Sequence, residues 1–190
     1  IRVFENRFSF DELSSFFERL TISFEKKLRE KKQWREMRNL SLNSLEFPFP
    51  HYRKHQREMA VTVYRALRDE KNIYLQAPTG IGKTISTLFP ALKNMGVTDS
   101  EKIFYLTART TIRKVAEDTL HSINKGGTRV KYLTITAKDK ICFMEKTRCI
   151  PEYCPYAKGY FDRVRAAVED ILGEKDCINR EAVEAYASKH

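Results

Sequence analysis

The chain has 190 residues, 35 basic against 25 acidic side chains and a formal net charge of +10 at pH 7. That length allows one sizeable core and a small satellite, and no apolar run is long enough to cross a membrane, so no membrane partner is expected. The start, from Ile1, lacks the basic, apolar and small-residue regions of a signal peptide, which suggests a piece of a longer chain. The basic excess favours an anionic partner.

Apolar residues at Phe10, Leu13, Phe17, Leu20, Phe24 and Leu28 recur at helical spacing and predict a long amphipathic helix over 9–39, capped by Ser9 or Asp11 and packed outside the core. Its basic run (Lys26, Lys27, Arg29, Lys31, Lys32, Arg35, Arg38) is either a surface for an anion or a solvated face. Prolines and small polar residues end the period over 39–50. A second helix is expected over 53–70 with Met59, Val63 and Leu67 turned inward. It leads to a short apolar run, 72–76, read as a buried strand.

Residues 77–84, A-P-T-G-I-G-K-T, follow that strand and open a helix predicted over 83–94, stopped by Gly96. A strand that re-enters as a helix through small residues aims backbone N–H groups and a helix N-terminus at one spot, which suits a polyphosphate. Ala77, Pro78, Thr79, Gly80, Ile81, Gly82, Lys83 and Thr84 would form the cradle. Lys83 would reach the outer phosphates and Thr84 would hold magnesium. Downstream, 102–107 reads as a second buried strand, 110–123 as a helix, Gly126 and Gly127 as a turn, and 130–136 as a third strand. Strands alternating with helices mean a parallel sheet covered on both faces, with the phosphate loop at its carboxyl edge. Beyond 136 the chain reads as a loop to about 160, then helices over 160–172 and 179–188, with no further strand.

Gln56 stands 27 residues before Lys83, and its amide offers one donor and one acceptor side, which matches the edge of adenine. Phe49 and Tyr52 beside it could stack on a base. At the end of the second strand, Thr107, Arg109 and Thr110 offer hydroxyls and a guanidinium suited to nucleic-acid phosphates. All four cysteines, Cys142, Cys149, Cys154 and Cys177, lie in the last third of the chain. With no export signal, reduced thiols in the cytoplasm are expected. The first three suit an iron–sulfur cluster held by loops; zinc and buried inert thiols are the alternatives.

Gln56, A-P-T-G-I-G-K-T and a cysteine block behind the third strand, in that order, resemble the XPD/DinG family of superfamily-two DNA helicases, specifically the first motor domain with its iron–sulfur insertion. The resemblance runs from about Phe47 onward. It implies a parallel-sheet P-loop NTPase (RecA-like) motor domain over 47–136, the start of a 4Fe–4S insertion over 137–190, and a helical linker or tail of an upstream domain over 1–46. It further implies ATP and magnesium as cofactors, Gln56 as adenine reader, Lys83 and Thr84 as the catalytic pair, and Arg109 with Thr107 on a DNA backbone. Cys142, Cys149 and Cys154 would be cluster ligands, with Cys177 a tentative fourth.

The family moves 5′ to 3′ along single-stranded or forked DNA in repair or replication; a monomer is favoured. The family's acidic D-E-x-H motif occurs nowhere in these 190 residues, so the chain alone is expected to bind ATP weakly and hydrolyse almost none. The alternative is a zinc-bearing P-loop NTPase or nucleic-acid-binding module without unwinding activity.

Overall fold

A computed structural model describes residues 5–188. The outermost ends of the segments 1–46 and 137–190, residues 1–4 and 189–190, lie outside the described residues. Helix α1 (Phe10–Asn43) starts at a capping box: Ser9 Oγ accepts from Glu12 N at 3.2 Å, and Ser9 N donates to Glu12 Oε2 at 2.7 Å. This reciprocal pair satisfies two N–H groups that a helix start leaves unbonded. The helix runs four residues past the predicted end, and its last turns belong to the core. Leu42 and Leu45 are buried with Ile85, Leu92, Met95, Ile123 and Val130, and Phe47 and Phe89 pack alongside.

Helix α2 (Gln56–Arg68) buries Gln56, Ala60 and Val63. The predicted inner stripe is therefore rotated: Met59 is half-buried and Leu67 exposed, because the face that meets the rest of the molecule is the one carrying the Gln56 amide. Helix α3 (Lys83–Val97) runs through Gly96 instead of stopping at it. A Cβ on Gly96 would lie 2.8 Å from Leu42 Cβ and 2.9 Å from Asn43 Oδ1. The glycine lets α1 and α3 touch and caps neither. Helix α4 (Thr110–Lys125) leads into the Gly126–Gly127 turn, where Gly127 has φ +90°, and Asn124 closes the turn on Val130 through both sides of its amide, at 2.8 and 3.2 Å.

The strands differ most from expectation. Among the described residues neither 72–76 nor 102–107 joins a ladder, and of 130–136 only β1 (Tyr132–Leu133) pairs. Its partner is β2 (Cys177–Ile178), a strand in the segment where none was expected, parallel to β1 with Tyr132 opposite Cys177 and Leu133 opposite Ile178. The crossover between them carries α5 (Lys138–Ile141) and α6 (Tyr160–Glu174), as a parallel pair requires. Helix α7 (Arg180–Ala187) follows, capped by Asn179 Oδ1 accepting from Ala182 N at 2.9 Å.

The two unpaired runs are extended and keep a strand's alternation. Ile103 and Tyr105 are better covered than Phe104 and Leu106, and Tyr74 is 97% exposed between the better covered Ile73 and Leu75. The pattern encodes two faces. A buried strand also needs a ladder and a covered second face, and the described residues supply neither to these runs.

The basic run of α1 is largely engaged within the chain. Lys31 bonds Glu101 at 3.0 Å, Arg35 bonds Asp99 at 2.6 Å, Lys27 pairs with Glu169, and Arg38 donates to the carbonyls of Ser100 and Glu101 at 3.3 and 3.4 Å. Trp34 lies under Lys131 at 4.5 Å and Arg129 at 5.7 Å. Glu101 is held below the usual carboxylate range, first by its hydrogen bond from Lys31 and then by that charge. A depressed carboxylate contributes stability above its unfolded pKa and loses it as pH falls through the folded value. Glu101→Gln should therefore lower the exchange protection of amides in the middle of α1, relative to their intrinsic rates, at neutral pH, and protonating Glu101 in the parent by acidification should do the same. Protection there indifferent to both would show that these pairs do not hold the helix. The effect is modest, because the pairs face solvent.

Candidate nucleotide site

The loop owes its shape to two glycines. Gly80 has φ +84° and Gly82 φ +85°, a region costly to residues with a side chain. Gly82 is the N-cap of α3, so Lys83 and Thr84 occupy its first turn, where backbone N–H groups lack intrahelical partners. Ile81, 9% exposed, is the loop's apolar anchor. The residues from Ala77 to Thr84 thus form a loop ending on a helix N-terminus.

Lys83 is folded back over its own loop, with Nζ donating to the Ala77 carbonyl at 3.1 Å and the Pro78 carbonyl at 2.8 Å. Arg53, which the sequence reading passed over, donates from Nη1 to the Gly80 carbonyl at 2.5 Å. Both cations border a cavity of about 480 Å³, together with Thr84, Tyr105, Thr107 and Ile112. That volume lies in the range of small-molecule sites. Two cations now bonded to neutral carbonyls would gain by moving to phosphate oxygens, since hydrogen bonds between ionised partners are roughly twice as strong. Tyr105 reaches Thr84, with Oη donating to Oγ1 at 3.5 Å, and so marks the hydroxyl assigned to magnesium. The signal for Arg53 was its place one turn before Gln56; for Tyr105, its alternation with Ile103 and Thr107.

Gln56 is 3% exposed. Its Oε1 accepts from Arg53 N at 2.9 Å, and its Nε2 lies 2.2 Å from where a Cβ on Gly82 would be. The amide is packed against the phosphate loop, which joins Gln56, Arg53 and Gly82 in one contact. Tyr52 stacks on Phe47, with centroids 3.9 Å apart and 18° between planes, so one of its faces is covered; Phe49 meets Phe47 edge-on at 5.6 Å. Thr107 lines the cavity. Arg109 stands apart as the exposed N-cap of α4, its N–H donating to Thr107 Oγ1 at 3.4 Å.

The cysteines divide. Lys138 has its pKa raised first by a hydrogen bond and charge interaction with Cys149, and further by Cys142 and Cys154. Helix α5 sets Lys138 one turn before Cys142, a spacing that could have singled the lysine out. Cys154 is buried and Cys149 exposed. Cys177 lies on β2 opposite Tyr132, whose phenol is pushed up by burial and then by its hydrogen bond with Cys177. Thiols are chemically suited to a thiophilic group, and Cys177 lies apart from the other three on the sheet. Among the described residues no three His, Cys, Asp or Glu side chains are gathered as a metal centre, so the arrangement fits such a group in donor type and not in position.

A positive-φ glycine cradle, a lysine and a threonine at a helix start, and a cavity over them define a P-loop nucleotide-binding protein. The sequence agrees with this geometry: the family model for DEAD/DEAH box helicases matches residues 53–150, just over half of the chain, and the chain belongs to that family. A protein described as a probable ATP-dependent helicase of Methanocaldococcus jannaschii is 40% identical over 47 residues, 25% of this chain and 7% of that relative. The chain therefore aligns with only a small part of that relative's length. No solved structure matches the chain. Family membership implies a RecA-like P-loop fold and ATP with magnesium. Among the described residues no helix is long and apolar enough to cross a membrane.

Proposed function

We propose that this chain is the nucleotide-binding part of the first motor domain of an ATP-dependent DNA helicase of the XPD/DinG type. The carrying observation is the joint packing of Gln56, Arg53 and Gly82 beside Lys83 and Thr84: the residues assigned to base and to phosphates meet at one loop. On this reading Lys83 leaves the Ala77 and Pro78 carbonyls for the outer phosphates and Thr84 holds magnesium, while Gln56, assigned to adenine by the resemblance, meets a base only when its packing against Gly82 opens. Thr107 and Arg109, at the start of α4, take DNA phosphates. The D-E-x-H motif that would organise the attacking water is not in these 190 residues, so the chain alone binds ATP and scarcely hydrolyses it.

The test is single-stranded DNA binding across a salt series, with the parent and Arg109→Ala. Affinity should fall by about 0.7 log unit per log unit of salt for each phosphate neutralised, and Arg109→Ala should lower that slope by about one phosphate. A flat salt response would overturn the DNA assignment.

The proposal extends to an iron–sulfur cluster on Cys142, Cys149 and Cys154, with Cys177 as tentative fourth ligand. The spacing of Cys142, Cys149 and Cys154 along one loop segment supports the first three positions. Chain purified without oxygen should be brown with broad visible absorption, and each of Cys142→Ser, Cys149→Ser and Cys154→Ser should bleach it. Cys177→Ser tests the fourth position: lost colour makes Cys177 the fourth ligand, and retained colour excludes it. Colourless protein carrying zinc by elemental analysis would replace the cluster with the zinc reading.

A further inference from the structure

Arg53 stands in the turn that leads into α2, and Gln56 pins it there on both sides. The Arg53 N–H donates to Gln56 Oε1 at 2.9 Å, and the Arg53 carbonyl accepts from Gln56 N at 3.0 Å. His55, with φ +63°, completes the turn between them. The backbone of Arg53 is therefore set before any ligand arrives, which lowers the ordering cost of binding one. Its exposed side chain crosses to the phosphate loop, where Nη1 donates to the Gly80 carbonyl at 2.5 Å. A guanidinium has five N–H donors. Among the described residues this is the only partner of the Arg53 guanidinium, and no carboxylate pairs with it. The cavity of about 480 Å³ that it borders is lined by two cations, Arg53 and Lys83, and by uncharged residues. Two like charges sharing a cavity without an acid repel each other and draw an anion between them.

We propose that Arg53 is a second phosphate-binding residue of this nucleotide site, which keeps its hold on Gly80 through Nη1 and gives its other N–H groups to the phosphate chain. The inference rests on the reading of residues 77–84 as the phosphate cradle. The two cations then work differently. Lys83 reaches a phosphate by leaving the Ala77 and Pro78 carbonyls, because its ammonium is a single compact donor group now spent on both. The planar fork of Arg53 can hold a carbonyl on one N–H and phosphate oxygens on the others. A phosphate bound there is tied to the middle of its own loop, at Gly80, from outside the loop. The ligand class is any chain of linked phosphates, with or without a base, since the guanidinium faces the part of the site that holds Lys83 and Thr84.

Binding of a fluorescent ATP analogue to the 190-residue chain, and its displacement by inorganic tripolyphosphate, test this. Arg53→Gln keeps an N–H donor and loses the charge. It should weaken both ligands by the same factor, about tenfold or more, because each loses a hydrogen bond between ionised partners. Arg53→Lys restores the charge without the fork and should regain part of that loss. Both variants should keep the parent's melting temperature, since the side chain they change is exposed. Parental affinity of Arg53→Gln for tripolyphosphate would overturn the proposal, and a loss confined to the ATP analogue would assign Arg53 to the base instead. Equal affinities of the Gln and Lys variants would also overturn it, leaving Arg53 as a support for Gly80. Lys83→Ala separates this inference from the reading beneath it. If that variant binds both ligands as the parent does, the cradle itself is misassigned; if it weakens them and Arg53→Gln does not, the role of Arg53 alone fails.

Discussion

Replacing Lys83 by alanine should weaken ATP binding roughly ten- to hundredfold while leaving thermal stability almost unchanged. The ammonium makes hydrogen bonds with two loop carbonyls, at 3.1 and 2.8 Å, and these are exposed, so their removal from the free protein costs little. In the nucleotide complex the same ammonium meets ionised oxygens. A hydrogen bond to a charged partner is worth about 1.5–3 kcal/mol, which sets the predicted change in dissociation constant. Titration with a fluorescent ATP analogue in the presence of magnesium measures it. Unchanged affinity would remove Lys83 from the site and with it the assignment of residues 77–84 as the phosphate cradle. The backbone makes a second, separable contribution: Gly80 and Gly82 hold their positive φ whether or not the lysine is present.

Leu42→Ala should be the most destabilising single truncation of α1. Leu42 is 0% exposed and its Cβ faces Gly96 of α3. Removing a fully buried leucine side chain costs about 2–5 kcal/mol, the higher part of that range where the surroundings cannot collapse. Two helices already in contact at a glycine leave little room to close further. For a chain of this size that amounts to a fall in melting temperature of about 5–20 °C. Ile22→Ala, on the exposed outer side of the same helix, should stay within about 0.5 kcal/mol of the parent. Equal melting temperatures for Leu42→Ala and the parent would mean that the docked half of α1 is an attachment to the core and no part of it.

Helix starts and the phosphate loop were legible because their causes are local. Ser9 with Glu12 is a capping box wherever it falls, Asn179 caps α7, and two glycines before Lys83 and Thr84 permit only a small set of backbone paths. The strands were less legible. The runs 72–76 and 102–107 have the right alternation, yet a ladder depends on which segments lie beside them. The β1–β2 pair joins residues far apart in sequence, and Cys177–Ile178 carries no pattern that names Tyr132–Leu133 as its partner. Gly96 shows the same divide: locally it reads as a stop, and only the approach of Leu42 makes it a packing residue.

The amino-acid order by itself determined a basic chain with a phosphate cradle at 77–84, a glutamine upstream and clustered cysteines downstream, because each depends on spacing within a few residues. Tertiary structure decided which of these meet. It set the Gln56 amide against Gly82, brought Arg53 and Tyr105 to the cavity, and held Cys177 on β2. It also turned half the basic stripe of α1 inward onto Asp99, Glu101 and Glu169. The physical reason is common to all of these: burial, charge pairing and close approach are properties of surfaces in contact, and contact between distant segments is not encoded in the spacing of either one alone.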